Sequence, residues 1–211
     1  KDAIENTARL KQDEGKPVSG DLGLVIKARD DRDRILAALY EKARYGGVVN
    51  VTVAGQDLDS LPPNAEFNHS GAIPVTITVQ PGPAFTFGDV AFAGDAEGRN
   101  PADYGLVPGA RADSTLILKA GEKVVVDLKA EGRPLARLVE RNATADHKTQ
   151  TVDVVISAEG GPVAPVGEVG VSGTKTVDPA FVQRYSRINA GQPYSPEALN
   201  KAAERLRTLG V

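Results

Sequence analysis

Apolar and polar side chains alternate in two stretches of the chain that lie 79 residues apart, at positions 73–79 and 152–158. A period of two residues is typical of a strand that buries one of its faces. Each stretch runs into a Gly-Pro pair, after which a second strand pattern begins and ends at Gly94 or Gly173. The pattern therefore predicts a unit of a strand, a joint and a second strand, which occurs twice in the chain.

The two Gly-Pro pairs are Gly82-Pro83 and Gly161-Pro162. When the two stretches are aligned without gaps, most of the identical positions are Gly or Pro, where the backbone geometry is specified. Such residues at a fixed spacing indicate an internal duplication. The alternative is a chance likeness between two generic strand–turn–strand pieces. We interpret the four residues as structural joints between consecutive repeats.

Two phenylalanines follow the first Gly-Pro pair. Phe85 and Phe87 share one parity, whereas the apolar residues after Gly88 continue on the other. A glycine at a change of parity indicates a bulge or the true start of a strand. We expect the strand to run from about Asp89 to Ala93, and the two phenylalanines to pack in the joint.

Helical periodicity and capping residues account for much of the remaining chain. Asp178 and Ser195 each precede a proline, as N-caps do when proline takes the first helical position. Gly132 is a typical helix stop, and a second stop is expected near Gly191. The predicted helices are 3–14, 21–44, 113–131, 178–191 and 195–210, and the predicted antiparallel strand pairs are 48–53 with 73–79 and 135–144 with 149–157.

These segments give one repeat the order β-α-α-β-β. We therefore expect an α+β fold in which each repeat is a three-stranded mixed sheet with two helices packed on one face. Residues 1–81 form the first repeat, which has an enlarged helical part and lacks its first strand. Residues 82–160 form the second, and residues 161–211 form a partial third that lacks its last two strands. Because the sequence contains no Met, we expect it to be an internal or processed stretch.

Composition argues against several classes of function. The net charge is −3 and no block of Lys and Arg stands out, so we expect no nucleic-acid partner. No apolar stretch approaches the roughly 18 residues that a membrane-spanning helix needs. The chain has no Cys, which removes disulfides, thiolate metal ligands and thiol nucleophiles.

No pattern of reactive side chains indicates catalysis. His69 and His147 lie in expected loops without the spacing of a metal pair, and Asp57 and Asp59 lack further oxygen ligands at calcium-loop spacing. The charged run at 29–34 is expected to decorate a solvated helix start. We therefore predict no enzyme activity, no catalytic residue, no cofactor and no metal.

The repeats resemble POTRA domains, the periplasmic modules that precede the outer-membrane β-barrel of the Omp85 superfamily. The resemblance rests on the β-α-α-β-β order, the Gly-Pro joints and the opening pattern F-x-F-G-x-V-x-F-x-G at 85–94. The third repeat carries the most diagnostic stretch, VGEVGVSGTKTVDPAFVQRYSRINAGQPYSPEALNKAAERLRTLGV. It departs from the family at Val166, where an aromatic residue is usual.

The resemblance implies a location on the periplasmic side of the bacterial outer membrane. It implies attachment to the membrane through a C-terminal barrel that this sequence does not include. The implied partners are outer-membrane or autotransporter substrate proteins and an inner-membrane-anchored protein. Two alternatives stay open: a structural spacer without clients, and the POTRA region of another Omp85 protein or of a two-partner secretion transporter.

In POTRA domains the second strand is the edge that can accept an extended chain by β-augmentation. Here that position corresponds to 48–53 and 135–144. The alternative is an exposed edge without a partner, which the charges of Arg137, Glu140 and Arg141 would blunt. The predicted partner-binding residues are Val48, Val49, Asn50, Val51, Thr52, Val53, Leu135, Arg137, Val139 and Arg141.

Overall fold

The chain has the α+β architecture that the sequence predicts, with helices and two three-stranded sheets. The computed structural model describes residues 7–13, 15–16, 18–62, 64–69, 71–173 and 177–209. None of the helices in these ranges combines the length and the apolar character needed to cross a membrane. The helices are α1 (Arg9–Gln12), α2 (Gly20–Tyr40), α3 (Ser114–Ala130), α4 (Pro179–Ser186) and α5 (Pro196–Thr208), and the strands are β1 (Val48–Val53), β2 (Gln56–Asp57), β3 (Val75–Gln80), β4 (Thr86–Gly94), β5 (Arg137–Asp146) and β6 (Thr151–Glu159).

By compactness the chain divides into two units. The first compact unit consists of Lys1–Gly88, Pro108–Thr115 and Ala145–Val152, and the second consists of Asp89–Val107, Leu116–Thr144 and Asp153–Val211. This division follows spatial proximity, whereas the division into repeats at 1–81, 82–160 and 161–211 follows sequence motifs. The three-repeat organisation stays a prediction.

β1 is the central strand of the first sheet, whose order is β2-β1-β3. It pairs antiparallel with β3 over its whole length, whereas β2 contributes only two residue pairs. β1 and β2 are joined by a two-residue hairpin through Ala54 and Gly55. Both have positive φ, 51° and 78°, as a type I′ turn requires.

α2 covers one face of the first sheet. Strand alternation places Val49, Val51 and Val53 on that face, where all three are buried. The buried residues of α2 recur at helical spacing and form the opposite side of the same core. They are Leu24, Val25, Ala28, Asp31, Ile35 and Leu39.

Asp31 is a fully buried carboxylate in the middle of α2. It accepts the backbone N–H of Arg9 at 2.9 Å and that of Leu10 at 2.7 Å. The first N–H groups of a helix have no acceptor within it, so Asp31 anchors the start of α1 on α2. The prediction that the charged run 29–34 lies at a solvated helix start is therefore wrong. The run lies in the middle of α2, and one of its members is buried.

β6 is the central strand of the second sheet, whose order is β4-β6-β5. β5 and β6 form a hairpin around residues 147–150. β4 runs parallel to β6, because Thr86 N–H donates to Gln150 C=O at 3.0 Å and Asp95 N–H donates to Ala158 C=O at 2.9 Å. The sheet is therefore mixed, as predicted.

α3 supplies the helical side of the second core. Its buried residues Ile117, Ala120, Val124 and Leu128 form one apolar stripe. β6 also contributes a set of residues that have no exposed surface and that alternate along the strand. These are Val152, Val154, Ile156 and Ala158.

Several predicted boundaries need correction. β4 begins at Thr86 and not at Asp89, because Phe87 already exchanges backbone hydrogen bonds with the loop at 109–110. The predicted helix 21–44 ends at Tyr40, since Ala43 adopts φ 55°. Of the predicted helix 3–14, the structure shows Arg9–Gln12; positions 1–6 and 14 lie outside the described residues.

The caps predicted in the third repeat are present. Asp178 accepts the N–H of Ala180 at 3.0 Å, and Ser195 accepts the N–H of Ala198 at 3.2 Å. α4 ends at Ser186, earlier than predicted, because the next residue takes the left-handed conformation. The strand predicted to end at Gly173 is not formed; a ladder needs a partner, and no described strand lies beside this segment.

Replacing Asp31 by Asn is expected to lower the free energy of unfolding by about 2 kcal/mol. Asn keeps one acceptor oxygen but turns an NH₂ group toward the second backbone donor. Chemical denaturation followed by circular dichroism measures the change. The matched control is Asp30→Asn, which removes a partly exposed pair with Arg34 and is expected to cost less than about 0.5 kcal/mol. Equal losses in the two variants would contradict an anchoring role for Asp31.

Candidate partner-binding edges and repeated joints

The side of β1 that faces away from β3 has a stretch of unpaired backbone. The residues that flank a two-residue hairpin loop form a hydrogen-bonded pair, so Val53 bonds toward β2. Because the bonding direction alternates along a strand, Val49 and Val51 also turn their N–H and C=O groups to this side. β2 pairs only with Thr52 and Val53, and no other described strand lies beside β1 there. Val49 and Val51 therefore form a short free edge.

The predicted residues of β1 divide between its two faces. Val49, Val51 and Val53 are buried, so a partner could reach them only through the backbone. Val48 and Asn50 are exposed, and Thr52 is half-buried. The prediction that this is an edge strand needs correction, because β1 is central in its sheet and is open on one side only over its first four residues. Whether a partner binds there stays a prediction.

β5 is a true edge strand of the second sheet. Of the predicted residues, Arg137, Val139 and Arg141 lie in β5 and are exposed. Arg137 pairs with Glu159 across the hairpin. Leu135 is 69% exposed but lies in the turn before the strand. Charged side chains along an edge oppose pairing with another strand, so β5 is the more protected of the two edges.

An arginine holds each predicted joint. The Arg44 guanidinium donates to the carbonyl of Gly82, and the Arg133 guanidinium donates to the carbonyl of Gly161 at 2.6 Å. The two glycines have positive φ, 64° and 69°, a conformation that favours glycine. The same contact therefore occurs at Gly82-Pro83, the first joint, and at Gly161-Pro162, the second joint.

Backbone hydrogen bonds repeat at the joints as well. Phe85 N–H donates to Ala43 C=O at 2.7 Å, and Ala164 N–H donates to Gly132 C=O at 2.9 Å. Both acceptor residues are left-handed, with φ 55° at Ala43 and 91° at Gly132. The two joints thus reach one backbone geometry with different side chains.

A loop that precedes the next long helix completes each joint. Ala112 N–H donates to Phe85 C=O, and Tyr194 N–H donates to Ala164 C=O, both at 3.1 Å. Two residues after Phe85 and Ala164, the backbone exchanges a further pair of hydrogen bonds with the loop of the same joint. These pairs join Phe87 to Gly109 and Ala110, and Val166 to Gly191 and Gln192.

No sequence motif distinguishes Arg44 and Arg133 from the other arginines of the chain. The hydrogen bond to the joint glycine spans 38 residues from Arg44 but 28 residues from Arg133, so the ungapped repeat does not align the two arginines. A usable signal was present in the order of elements. Each arginine lies between the end of a long helix and the start of the strand that follows it.

Aromatic side chains pack in the first joint. Phe85 is buried, with its ring centroid 5.8 Å from that of Tyr45 and 5.4 Å from that of His147. The Tyr45 hydroxyl donates to Ala112 C=O at 2.8 Å, and burial raises the pKa of Tyr45 to about 12. Phe85 therefore packs in the joint as predicted, whereas Phe87 is a residue of β4.

The titratable residues considered for chemistry have structural contacts. His69 bonds to Gly71 C=O at 2.6 Å and lies 3.3 Å from the Asp21 carboxylate. The N–H of Phe67, more than His69, holds the pKa of Asp21 below its usual value. Across the described ranges, no group of three or more His, Cys, Asp or Glu is placed to hold a metal ion.

Comparison with known proteins points to the POTRA fold. Residues 164–211 match the POTRA family model, described as a surface antigen variable number repeat. The structure is similar to POTRA domains 3–5 of Haemophilus influenzae BamA, with a TM-score of 0.54 and 15% identity over 86% of this chain and 69% of that chain. The comparison with POTRA domains 1–3 of the periplasmic domain of Omp85 from Anabaena gives a TM-score of 0.33 and 11% identity, over 93% of this chain and 81% of that chain. Among curated proteins no match was found.

The predicted fold class is confirmed: the chain combines three-stranded sheets with helices, and its structure is similar to that of the BamA POTRA domains. The family match adds that the last part of the chain has the POTRA sequence pattern. At 15% identity the likeness to the BamA domains concerns the fold alone.

Gly82→Ala is expected to destabilise the chain by at least about 1 kcal/mol more than Gly55→Ala. Both glycines have positive φ, and both variants carry the left-handed cost of an L residue. A Cβ at Gly82 would lie 3.0 Å from the carbonyl oxygen of Gly46, whereas nothing lies within 4 Å at Gly55. Thermal and chemical unfolding measure the difference, and equal stabilities would exclude the close approach.

Arg133→Ala is expected to speed hydrogen exchange of the Ala164 amide by about tenfold. That amide bonds to Gly132 C=O beside the arginine contact, so the variant should loosen the second joint locally. Arg137→Ala serves as control, because its ion pair is exposed and contributes little. Unchanged exchange at Ala164 in Arg133→Ala would show that the guanidinium does not hold the joint.

Proposed function

We propose that this chain is the periplasmic POTRA region of an Omp85-superfamily factor that assembles or translocates outer-membrane β-barrel proteins. In this proposal it binds substrate or partner proteins by β-augmentation. The observation that carries the proposal is the open, uncharged edge at Val49 and Val51. The family match at 164–211 and the likeness to the BamA domains support it.

An open strand edge suits a binder of many different unfolded chains. Backbone hydrogen bonds supply the affinity, and the sequence of the incoming strand matters little when the neighbouring side chains are buried. Val49 and Val51 meet that condition, because their side chains point into the core and their backbone groups point outward. The proposed clients are outer-membrane or autotransporter proteins before they fold.

The organisation of the repeats resembles one Omp85 protein in particular. Three repeats with an enlarged helical first repeat resemble TamA, the translocation and assembly module subunit, more than BamA, which carries five POTRA domains. α2, with 21 residues, is the long helix on which this resemblance rests. By the same resemblance we propose a TamB-like inner-membrane-anchored partner and a place on the periplasmic side of the outer membrane.

A second candidate function is a structural spacer between the membrane barrel and an inner-membrane-anchored partner. The repeated joints favour it, since each is closed by an arginine contact and by the same set of backbone bonds. A spacer would not need the β1 edge. The two candidates therefore differ in whether changes at Val49 affect binding of an unfolded client.

Val49→Pro tests the edge directly. Proline removes the outward N–H of Val49 while leaving the ladder to β3, which uses the alternate residues of β1. A fluorescently labelled porin, denatured in urea and diluted into the 211-residue chain, serves as probe, with affinity measured by fluorescence anisotropy. The variant is expected to bind at least about tenfold more weakly than the parent chain.

Val49→Ala is the matched control. It removes more of the buried side chain than proline does but keeps the outward N–H, so its affinity for the denatured porin should stay within about twofold of the parent. Circular dichroism verifies that both variants fold. If Val49→Pro folds and binds the porin as tightly as the parent chain, client binding at β1 is excluded and the spacer function is favoured.

A further inference from the structure

The second half of α2 runs alongside β1 in the opposite direction. A Cβ placed on Gly47, directly before β1, would lie 2.8 Å from the Cδ1 atom of Leu39, so α2 ends beside the start of β1. Toward the other end of β1, Arg32 pairs with Asp59, in the turn that follows β2. The part of α2 from Arg32 to Tyr40 therefore lies next to the strand whose edge is free.

Two apolar side chains of α2 lie on the side of this free edge. Arg29 and Arg32 both contact the segment at 58–61, which follows β2, and β2 flanks β1 on the side away from β3. Residues at spacings of three and four share one face of a helix, so Leu36 and Tyr40 continue the row that the two arginines begin. We call these two residues the apolar shelf.

Tyr40 is exposed but is held in place. It is 39% exposed, and its ring stacks on that of Tyr45 with a centroid distance of 5.1 Å and an interplanar angle of 25°. Tyr45 in turn packs on Phe85 and donates its hydroxyl to Ala112 C=O. A side chain that is already immobilised loses little conformational entropy when a partner covers it, and buried aromatic residues supply much of the binding energy at protein interfaces.

Leu36 extends the apolar shelf toward the core. It is half-buried and packs against the core of the first compact unit. Beyond it, the pair of Arg32 and Asp59 places charges next to the edge, and β2 already occupies the position beside Thr52. The apolar shelf is therefore short and ends where β2 begins.

The geometry of a β-sheet determines which client side chains reach the apolar shelf. Residues directly opposite each other on paired strands have their side chains on the same face. A client residue opposite Val49 or Val51 therefore points toward α2, as those two valines do. Its neighbours in sequence point to the solvent side, beside Val48 and Asn50. Only one face of a bound strand contacts α2.

We propose that the β1 edge selects client strands through an aromatic or large aliphatic side chain that lies opposite Val49 and packs on the apolar shelf. Strands of outer-membrane barrels alternate apolar and polar side chains and carry aromatic residues near both membrane interfaces. Such a strand places its lipid-facing side on Leu36 and Tyr40 and leaves its polar side in water. The inference rests on the proposed binding at the β1 edge and adds the specificity of that site.

Two short synthetic peptides of equal length test this selection. In the aromatic peptide, phenylalanine and threonine alternate between terminal lysines; in the polar peptide, serine replaces each phenylalanine. Both carry a fluorescent label, and fluorescence anisotropy gives their affinities for the 211-residue chain. The parent chain is expected to bind the aromatic peptide at least about tenfold more tightly than the polar peptide.

Tyr40→Ala removes the exposed ring and should reduce this preference to about twofold, whereas Tyr40→Phe keeps the ring and should keep the preference. The matched control is Ile26→Ala, since Ile26 is an exposed apolar residue of α2 outside the apolar shelf, and it should behave as the parent chain does. Circular dichroism verifies that the variants fold. If Tyr40→Ala retains the full preference, the apolar shelf does not select clients and the inference is wrong.

Amide hydrogen exchange identifies the edge at which the aromatic peptide binds. Exchange at Val49 and Val51 is expected to slow by at least about tenfold in its presence, because their outward N–H groups then have acceptors. Slowing at Val75, Ile77 and Val79 instead would place the peptide on β3 and overturn the inference.

Failure of the inference and failure of the proposed function give different results. If both peptides bind equally tightly and slow exchange at Val49 and Val51, the edge binds clients without selection, and only the inference is overturned. If neither peptide slows exchange there and the denatured porin does not bind, the β1 edge binds no client, and the proposed function is overturned together with the inference.

Discussion

Unpaired backbone groups at the edges of small sheets are the constraint on which this structure depends. A backbone N–H or C=O that is buried away from water must find a hydrogen-bond partner, and a three-stranded sheet has one central strand and two edges. The chain meets this requirement differently at each place. β2 covers the end of β1, the loop at 109–111 pairs with the start of β4, and charges protect β5.

The joints follow the same constraint. The residues around Gly82-Pro83 and Gly161-Pro162 leave strand geometry, so their backbone groups must be satisfied outside a ladder. Their hydrogen-bond partners are the carbonyl of a residue in the left-handed conformation, Ala43 or Gly132, and the loop before the next long helix. The left-handed conformation costs a non-glycine residue such as Ala43 about 1–2 kcal/mol. The hydrogen bonds of the joint, and not the preference of the residue, therefore determine this backbone conformation.

This division between backbone geometry and side-chain identity explains what could be predicted from the sequence. Alternation and caps located α3, α5, β3, β5 and β6 to within a few residues, because these signals act within one turn or one strand. The Gly and Pro of the joints were visible because only those residues tolerate the required geometry. The aromatic cluster around Phe85 was only partly visible, since its second joint counterpart is Ala164.

The features that the sequence did not predict depend on contacts between distant segments. Asp31 resembled the exposed charges around it, and only the approach of α1 makes it a buried acceptor. The place of β1 in its sheet depends on β2, two residues long, which has no alternation to detect. The strand predicted to end at Gly173 has the right pattern but no described strand beside it, and a pattern alone does not form a ladder.

The two open edges of the first sheet differ in how much an added strand would gain. β3 presents three alternate outward residues, Val75, Ile77 and Val79, whose apolar side chains are half-buried, so an added strand would gain both hydrogen bonds and apolar burial. β1 presents only Val49 and Val51, whose side chains are already buried, so an added strand gains hydrogen bonds and little burial. Burial contributes about 25 cal/mol per Å² of apolar surface. A strand added at the β3 edge would therefore gain more free energy than one added at the β1 edge, because hydrogen bonds and apolar burial would act together there.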